Sequence, residues 1–121
     1  MPCQDSCLEF FFSPMEEDPR YFNFEFNPLK ALYLGFGAER STRVRQIVRD
    51  VDASFAPKPF FTEDGWGIEY RIPLSFVRVY DPDFVFSGKK YGNFYKCGDL
   101  TVVEHNFSWN PKLRRSFECV L

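Results

Sequence analysis

The sequence predicts an antiparallel β-sandwich of the jelly-roll kind. Aromatic residues make up 20% of the chain, with 16 phenylalanines and six tyrosines, and such side chains favour strands. Apolar residues recur with a period of two in several short runs, and turn signals separate those runs with no long helical period between them. A length of 121 residues supports one domain over 1–121, with a real core.

The first strand is expected from Cys7 to Phe12, an apolar run broken only by Glu9. Ser13-Pro14 and the acidic Glu16-Glu17-Asp18-Pro19 then form a loop into the most regular segment, Tyr21 to Asn27. There Phe22, Phe24 and Phe26 point one way and Tyr21, Asn23, Glu25 and Asn27 the other. Ala31 to Phe36 reads as a third strand, with Leu32, Leu34 and Phe36 opposite Tyr33. Arg43 to Arg49 reads as a weaker fourth, with Val44 and Val48 inward and Arg43 and Arg45 outward. Pro57 and Pro59 make Ala53 to Glu63 a loop or an edge. Trp66 to Ile72 alternates after the Asp64-Gly65 turn and stops at Pro73, and Leu74 to Val77 fits either a helical turn or extended chain. Tyr91 to Cys97 is a further strand, Val102-Val103 a short one, and Phe117 to Leu121 a last. The first run starts so near Met1 that its outer edge needs covering, either by a partner chain or by strands that a shortened sandwich lacks.

Seventeen acidic and fifteen basic residues leave a formal charge of -2, which gives no general field to recruit nucleic acid or an anionic membrane. The start shows no secretory pattern, and no apolar run approaches the roughly 20 residues of a membrane span, so a cytoplasmic chain is the default expectation. Cys3, Cys7, Cys97 and Cys119 form no C-x-x-C pair and are read as four reduced thiols.

Catalytic chemistry finds little support. Asp99 and Glu104 lie near His105, but no nucleophile elbow, phosphate loop or H-E-x-x-H accompanies them, so no enzyme is expected. No metal is assigned: Asp81-Pro82-Asp83 or Asp99 suit calcium in a sandwich, yet no D-x-D-x-D-G loop is present. A sugar receptor, by contrast, needs a flat aromatic surface beside planar polar groups, and Asn106-Phe107-Ser108-Trp109 offers both within four residues. Trp109 precedes Asn110-Pro111, which places its indole in a loop. The polar side of Tyr21 to Asn27 is the kind of surface a sheet presents to a ligand.

Four blocks, "QDSCLEFFF" at 4–12, "YFNFEFNPLKALYLGFG" at 21–37, "GWGIEYRIPLSF" at 65–76 and "GNFYKCGDLTVVEHNFSWNP" at 92–111, together resemble the carbohydrate-binding family 9-like domains. These β-sandwiches are related to xylanase-associated modules and, more distantly, to DOMON domains. The resemblance implies a non-catalytic module in which two aromatic rings clamp a terminal sugar. By that pattern Trp109 would be one ring, with Asn106 and Glu9 as hydroxyl ligands; Lys96, Asp99 and His105, polar groups of the same 92–111 stretch, are added as further hydrogen-bonding candidates from their residue types. Three departures accompany it. Cys3 stands where the second ring would be, the family domain begins several tens of residues earlier, and Ser116 to Cys119 departs from the pattern.

The leading expectation is therefore binding of a mono- or oligosaccharide end without cofactor, with affinity on the order of micromolar to millimolar. The alternative is a structural domain with a degenerate site that forms a homodimer through its uncovered sheet edge. A haem site is disfavoured, because only His105, Met1 and Met15 offer axial ligands of the needed types.

Overall fold

A six-stranded antiparallel sheet and a smaller layer packed on one of its faces form the protein. The structure, a computed structural model, describes residues 6–97 and 107–108. Ten elements follow in order: β1 (Cys7–Ser13), β2 (Tyr21–Phe26), β3 (Leu32–Gly37), β4 (Val44–Arg45), α1 (Val51–Phe55), β5 (Lys58–Phe61), β6 (Trp66–Glu69), α2 (Leu74–Tyr80), β7 (Tyr91–Cys97) and β8 (Phe107–Ser108). The large sheet runs β4-β3-β2-β1-β7-β8, and β5 pairs with β6 as a separate hairpin. This is the expected β-sandwich, with the hairpin and two short helices as its second layer. Among the described residues no helix is long and apolar enough to cross a membrane.

Alternation decides which side of the sheet is oily. Phe22, Phe24 and Phe26 of β2 are each 0% exposed and join Phe12, Leu34, Phe36, Phe55, Val77 and Phe84 in one core. The ring of Phe24 meets Phe55 of α1 edge-on at 5.4 Å and lies 6.2 Å from Phe76 of α2. Phe22 lies 5.0 Å from Tyr80, again edge-on. Both helices thus bring aromatic rings down onto the sheet, a geometry that adds to the gain from burial alone.

Local chemistry explains the connections. Asn27 uses its side-chain oxygen to accept from the backbone N–H of Leu29 (3.0 Å) and Ala31 (2.9 Å), a turn that carries Lys30 at φ 65°. Asp50 caps α1 by accepting from Ala53 N–H, and Ala56 ends the helix at φ 46° just before Pro57. The segment expected as loop or edge over 53–63 therefore contains the end of α1 and strand β5. Leu74 to Val77 is the first part of a helix rather than extended chain.

Two strand expectations need correction. The fourth strand spans only Val44–Arg45, and Val44, expected inward, is 63% exposed. A strand of two residues at the sheet edge has no strand on its outer side among the described residues. The run from Trp66 ends as a strand at Glu69, although Tyr70 and Ile72 still pack on the core. Cys7 and Cys97 are likewise not free thiols: a disulfide joins them across β1 and β7, their Cα atoms 5.4 Å apart. The pairing of β1 with β7, not local spacing, brings residues 90 positions apart together.

A partly buried charge cluster closes the β1–β2 loop against the end of α2. Arg20 donates from Nη2 to Asp18 at 2.6 Å and to Asp81 at 3.4 Å. Hydrogen bonding to Arg20 holds the Asp18 carboxyl well below the usual range. Burial, and then Asp18 beside it, pushes Asp81 up to about 6 from its ordinary 3.8. For Asp81 the folded pKa is the higher one, so its contribution is fully present below about pH 4 and is lost as pH rises through about 6. Asp18 acts in the opposite sense, contributing above the ordinary carboxylate pKa and losing that contribution as pH falls below it. Asp81→Asn removes the cost of ionising Asp81. It is expected to stabilise the protein by roughly 1 kcal/mol near neutral pH and not near pH 4. Thermal unfolding of the two proteins across that range checks this, and an advantage equal at both ends contradicts it.

Candidate functional site

The opposite face of the large sheet carries polar side chains that are nevertheless covered. Asn23 is 0% exposed, Asn93 2% and Glu25 6%. Placing such groups out of water costs free energy unless they find partners, so a face of this composition is not an ordinary solvated surface. Every residue of β2 is buried, on both sides of the strand.

Register arranges these residues in rows. Tyr33, Glu25, Glu9, Tyr95 and Ser108 stand opposite one another across β3, β2, β1, β7 and β8. The next row runs Gly35, Asn23, Phe11 and Asn93, and on the other side Cys7 faces Cys97. Glu9 and Glu25 are thus direct neighbours, a like-charge pair that a sheet tolerates only with compensating contacts. Asn23 Nδ2 donates to Glu9 Oε2 at 3.2 Å, and Cys7 Sγ lies 3.4 Å from Glu25 Oε1. The other amide atom, Asn23 Oδ1, is buried with no hydrogen-bond partner among the described residues, as is Arg43 Nε.

Arg43 spans the aromatic part of this face. Its guanidinium carbon lies 5.7 Å from the ring centre of Tyr33, 5.8 Å from Tyr21 and 6.0 Å from Phe11. Glycine at position 35 leaves it room, since a Cβ there would come within 2.9 Å of Arg43 Cδ. The arginine expected to point outward therefore lies across three rings. Chemically, the face offers carboxylate acceptors, carboxamides that both donate and accept, a guanidinium and flat apolar rings.

Of the six residues singled out from the sequence, the structure describes two. Glu9 occupies the middle of the central row. Lys96 is not brought to it: it pairs with Leu8, one position out of phase with Glu9 and Tyr95, and its Nζ donates to the carbonyl of Cys97 at 3.2 Å. Alternation sends Lys96 to the other side of the sheet. Asn106, Trp109, Asp99 and His105, together with Cys3, lie outside the described residues. Asn93 and Arg43, which the sequence did not single out, also lie on this face. The signal for Asn93 was its parity: on β7 it alternates in step with Tyr95, as Glu9 does with Phe11 on β1.

Known proteins resemble the chain as a whole. The model of carbohydrate-binding family 9 matches residues 3–117. A crystal structure of a protein from Bacteroides uniformis ATCC 8492, whose name proposes carbohydrate binding, is similar at 30% identity with a TM-score of 0.68. That match covers 89% of this chain and 53% of the other, so this chain spans about half the length of that protein. The comparison with curated proteins finds no match. With a family match over nearly its whole length and a sandwich that folds like its structural relative, the chain belongs to carbohydrate-binding family 9.

Proposed function

We propose that the polar face of the six-stranded sheet binds the end of a saccharide without catalysing its cleavage. The observation that carries this reading is the buried set Asn23, Glu25 and Asn93 with the half-buried Glu9 among them, on the face that also carries Phe11, Tyr21 and Tyr33. A pyranose presents both an apolar ring face and a rim of hydroxyls, and this surface can answer each. Asn23 Oδ1, without a partner among the described residues, is a ready acceptor for a sugar hydroxyl.

Asn106 and Trp109 flank β8, whose Ser108 stands next to Tyr95 in the row of Glu9. In this reading Trp109 stacks on the sugar ring and Asn106 holds a hydroxyl, with Asp99 and His105 as further contacts. The non-catalytic reading is supported by the carboxylates, because Glu9 and Glu25 are neighbours in one row of the sheet. Glycoside cleavage needs carboxyls on either side of the scissile bond.

Calorimetric titration with glucose, cellobiose and xylobiose tests the proposal. Saturable heat with a dissociation constant on the order of micromolar to millimolar is expected for at least one of them. No saturable heat with any of the three, up to their solubility, would overturn it.

A further inference from the structure

Overlapping the proposed saccharide contacts at Glu9 and Glu25, four potential ligands converge at one end of the same face. Cys7, Glu9, Glu25 and Cys97 each offer one donor atom, and those atoms all lie within 4.8 Å of one another. Three of the residues are buried, with Cys7 at 0%, Cys97 at 4% and Glu25 at 6% exposure. We propose that reduction of the Cys7–Cys97 disulfide creates a binding site for a thiophilic divalent cation of the zinc type.

Geometry and donor chemistry support the assignment. Tetrahedral zinc with bonds of about 2.3 Å to sulfur and about 2.0–2.2 Å to oxygen needs its ligand atoms roughly 3.3–3.8 Å apart. The four atoms lie within 4.8 Å of one another, so they need draw in by no more than about 1–1.5 Å once the sulfurs, which oppose each other on paired strands, are no longer bonded. Two thiolates select zinc, cadmium or cobalt over calcium and magnesium, which prefer all-oxygen shells. Asn23 supplies an outer contact, because its Nδ2 donates to Glu9 Oε2 and would orient that carboxylate towards the ion. A cation would also relieve the charge repulsion between Glu9 and Glu25 across β1 and β2.

The cross-link and the cation exclude each other. With a trialkylphosphine as reductant, phosphorus supplies two electrons and the S–S bond breaks. Water then provides the oxygen of the phosphine oxide and the two thiol protons. Zinc binding displaces those protons as both sulfurs become thiolate ligands. The site is thus absent in the oxidised protein and present in the reduced one. Glu9 and Glu25 belong to both proposed sites, but the cysteine pair carries this inference and zinc is titrated without any sugar, so either reading can fail alone.

The experiment uses the full chain carrying Cys3→Ser and Cys119→Ser, so that only the thiols of interest remain. It is reduced with a phosphine, freed of it without air, and titrated with zinc against a chromophoric chelator. One equivalent per chain is expected after reduction and none before. Glu25→Gln should weaken binding by at least about 10-fold. Cobalt added in place of zinc should show intense thiolate charge-transfer absorption, which needs no further variant and so guards against one that fails to fold. Substoichiometric zinc in the reduced protein, affinity unchanged by Glu25→Gln, or cobalt without that absorption would each overturn the proposal.

Discussion

Phe24→Ala is expected to lower the free energy of unfolding by about 3–5 kcal/mol, as large a loss as truncating any one core side chain should cause. Phe24 is 0% exposed and sits at the centre of β2, where its ring meets Phe55 of α1 and Phe76 of α2. Removing it leaves a cavity that Phe55 and Phe76 cannot fill, because Phe55 is held by its own edge-on contact to Phe76 at 5.1 Å. A domain of this size has roughly 5–15 kcal/mol in all, so the variant is left near the limit of folding. Urea unfolding measures the difference. Val79→Ala is the control: Val79 is 76% exposed on the outer side of α2, and its loss should stay within about 0.5 kcal/mol. Equal losses in the two variants would contradict the packing described.

Glu9→Ala is expected to weaken saccharide binding by about 10- to 100-fold, the second large effect. A hydrogen bond to a charged group is worth roughly 1.5–3 kcal/mol, and each 1.4 kcal/mol is about tenfold. Glu9 stands at the middle of its row, between Glu25 and Tyr95, with one oxygen already committed to Asn23. Glu9→Gln keeps an acceptor for Asn23 and removes a like charge beside Glu25, so it should bind with intermediate affinity while unfolding within about 1 kcal/mol of the parent. Calorimetry and thermal melts on the three proteins separate binding from folding. A Glu9→Ala protein that binds like the parent would remove Glu9 from the site.

Much of the sheet was legible in the sequence because burial imposes a period of two, and Phe22, Phe24 and Phe26 obey it without interruption. The helices were not. Residues 51–55 form too short a segment to show a helical period, and only the Asp50 cap marked its start. For α2 the apolar positions Phe76, Val77 and Tyr80 do have helical spacing, but Pro73 and the four residues after it fit an extended chain as well. The cysteine pairing depends on which strand lies beside β1, a fact of topology that spacing within the chain does not carry.

The polar face was half legible for the same reason. Glu9 stood out as a charge in an apolar strand, and such a residue needs a partner wherever the strand goes. Lys96 drew notice for its residue type, whereas its parity puts it on the face opposite Glu9. Arg43 looked like one of several surface arginines, since nothing in the local pattern shows that Gly35 opens a path for it across the rings.

The side-chain NH2 signals of Asn23 and Asn93 give the most direct test of the central claim, that this covered polar face takes the sugar. Followed by nitrogen-resolved NMR during titration with cellobiose, both should shift in a saturable way, with the same dissociation constant as calorimetry. Saturable binding that leaves both signals in place, and moves backbone amides only on the β5–β6 side, would contradict it.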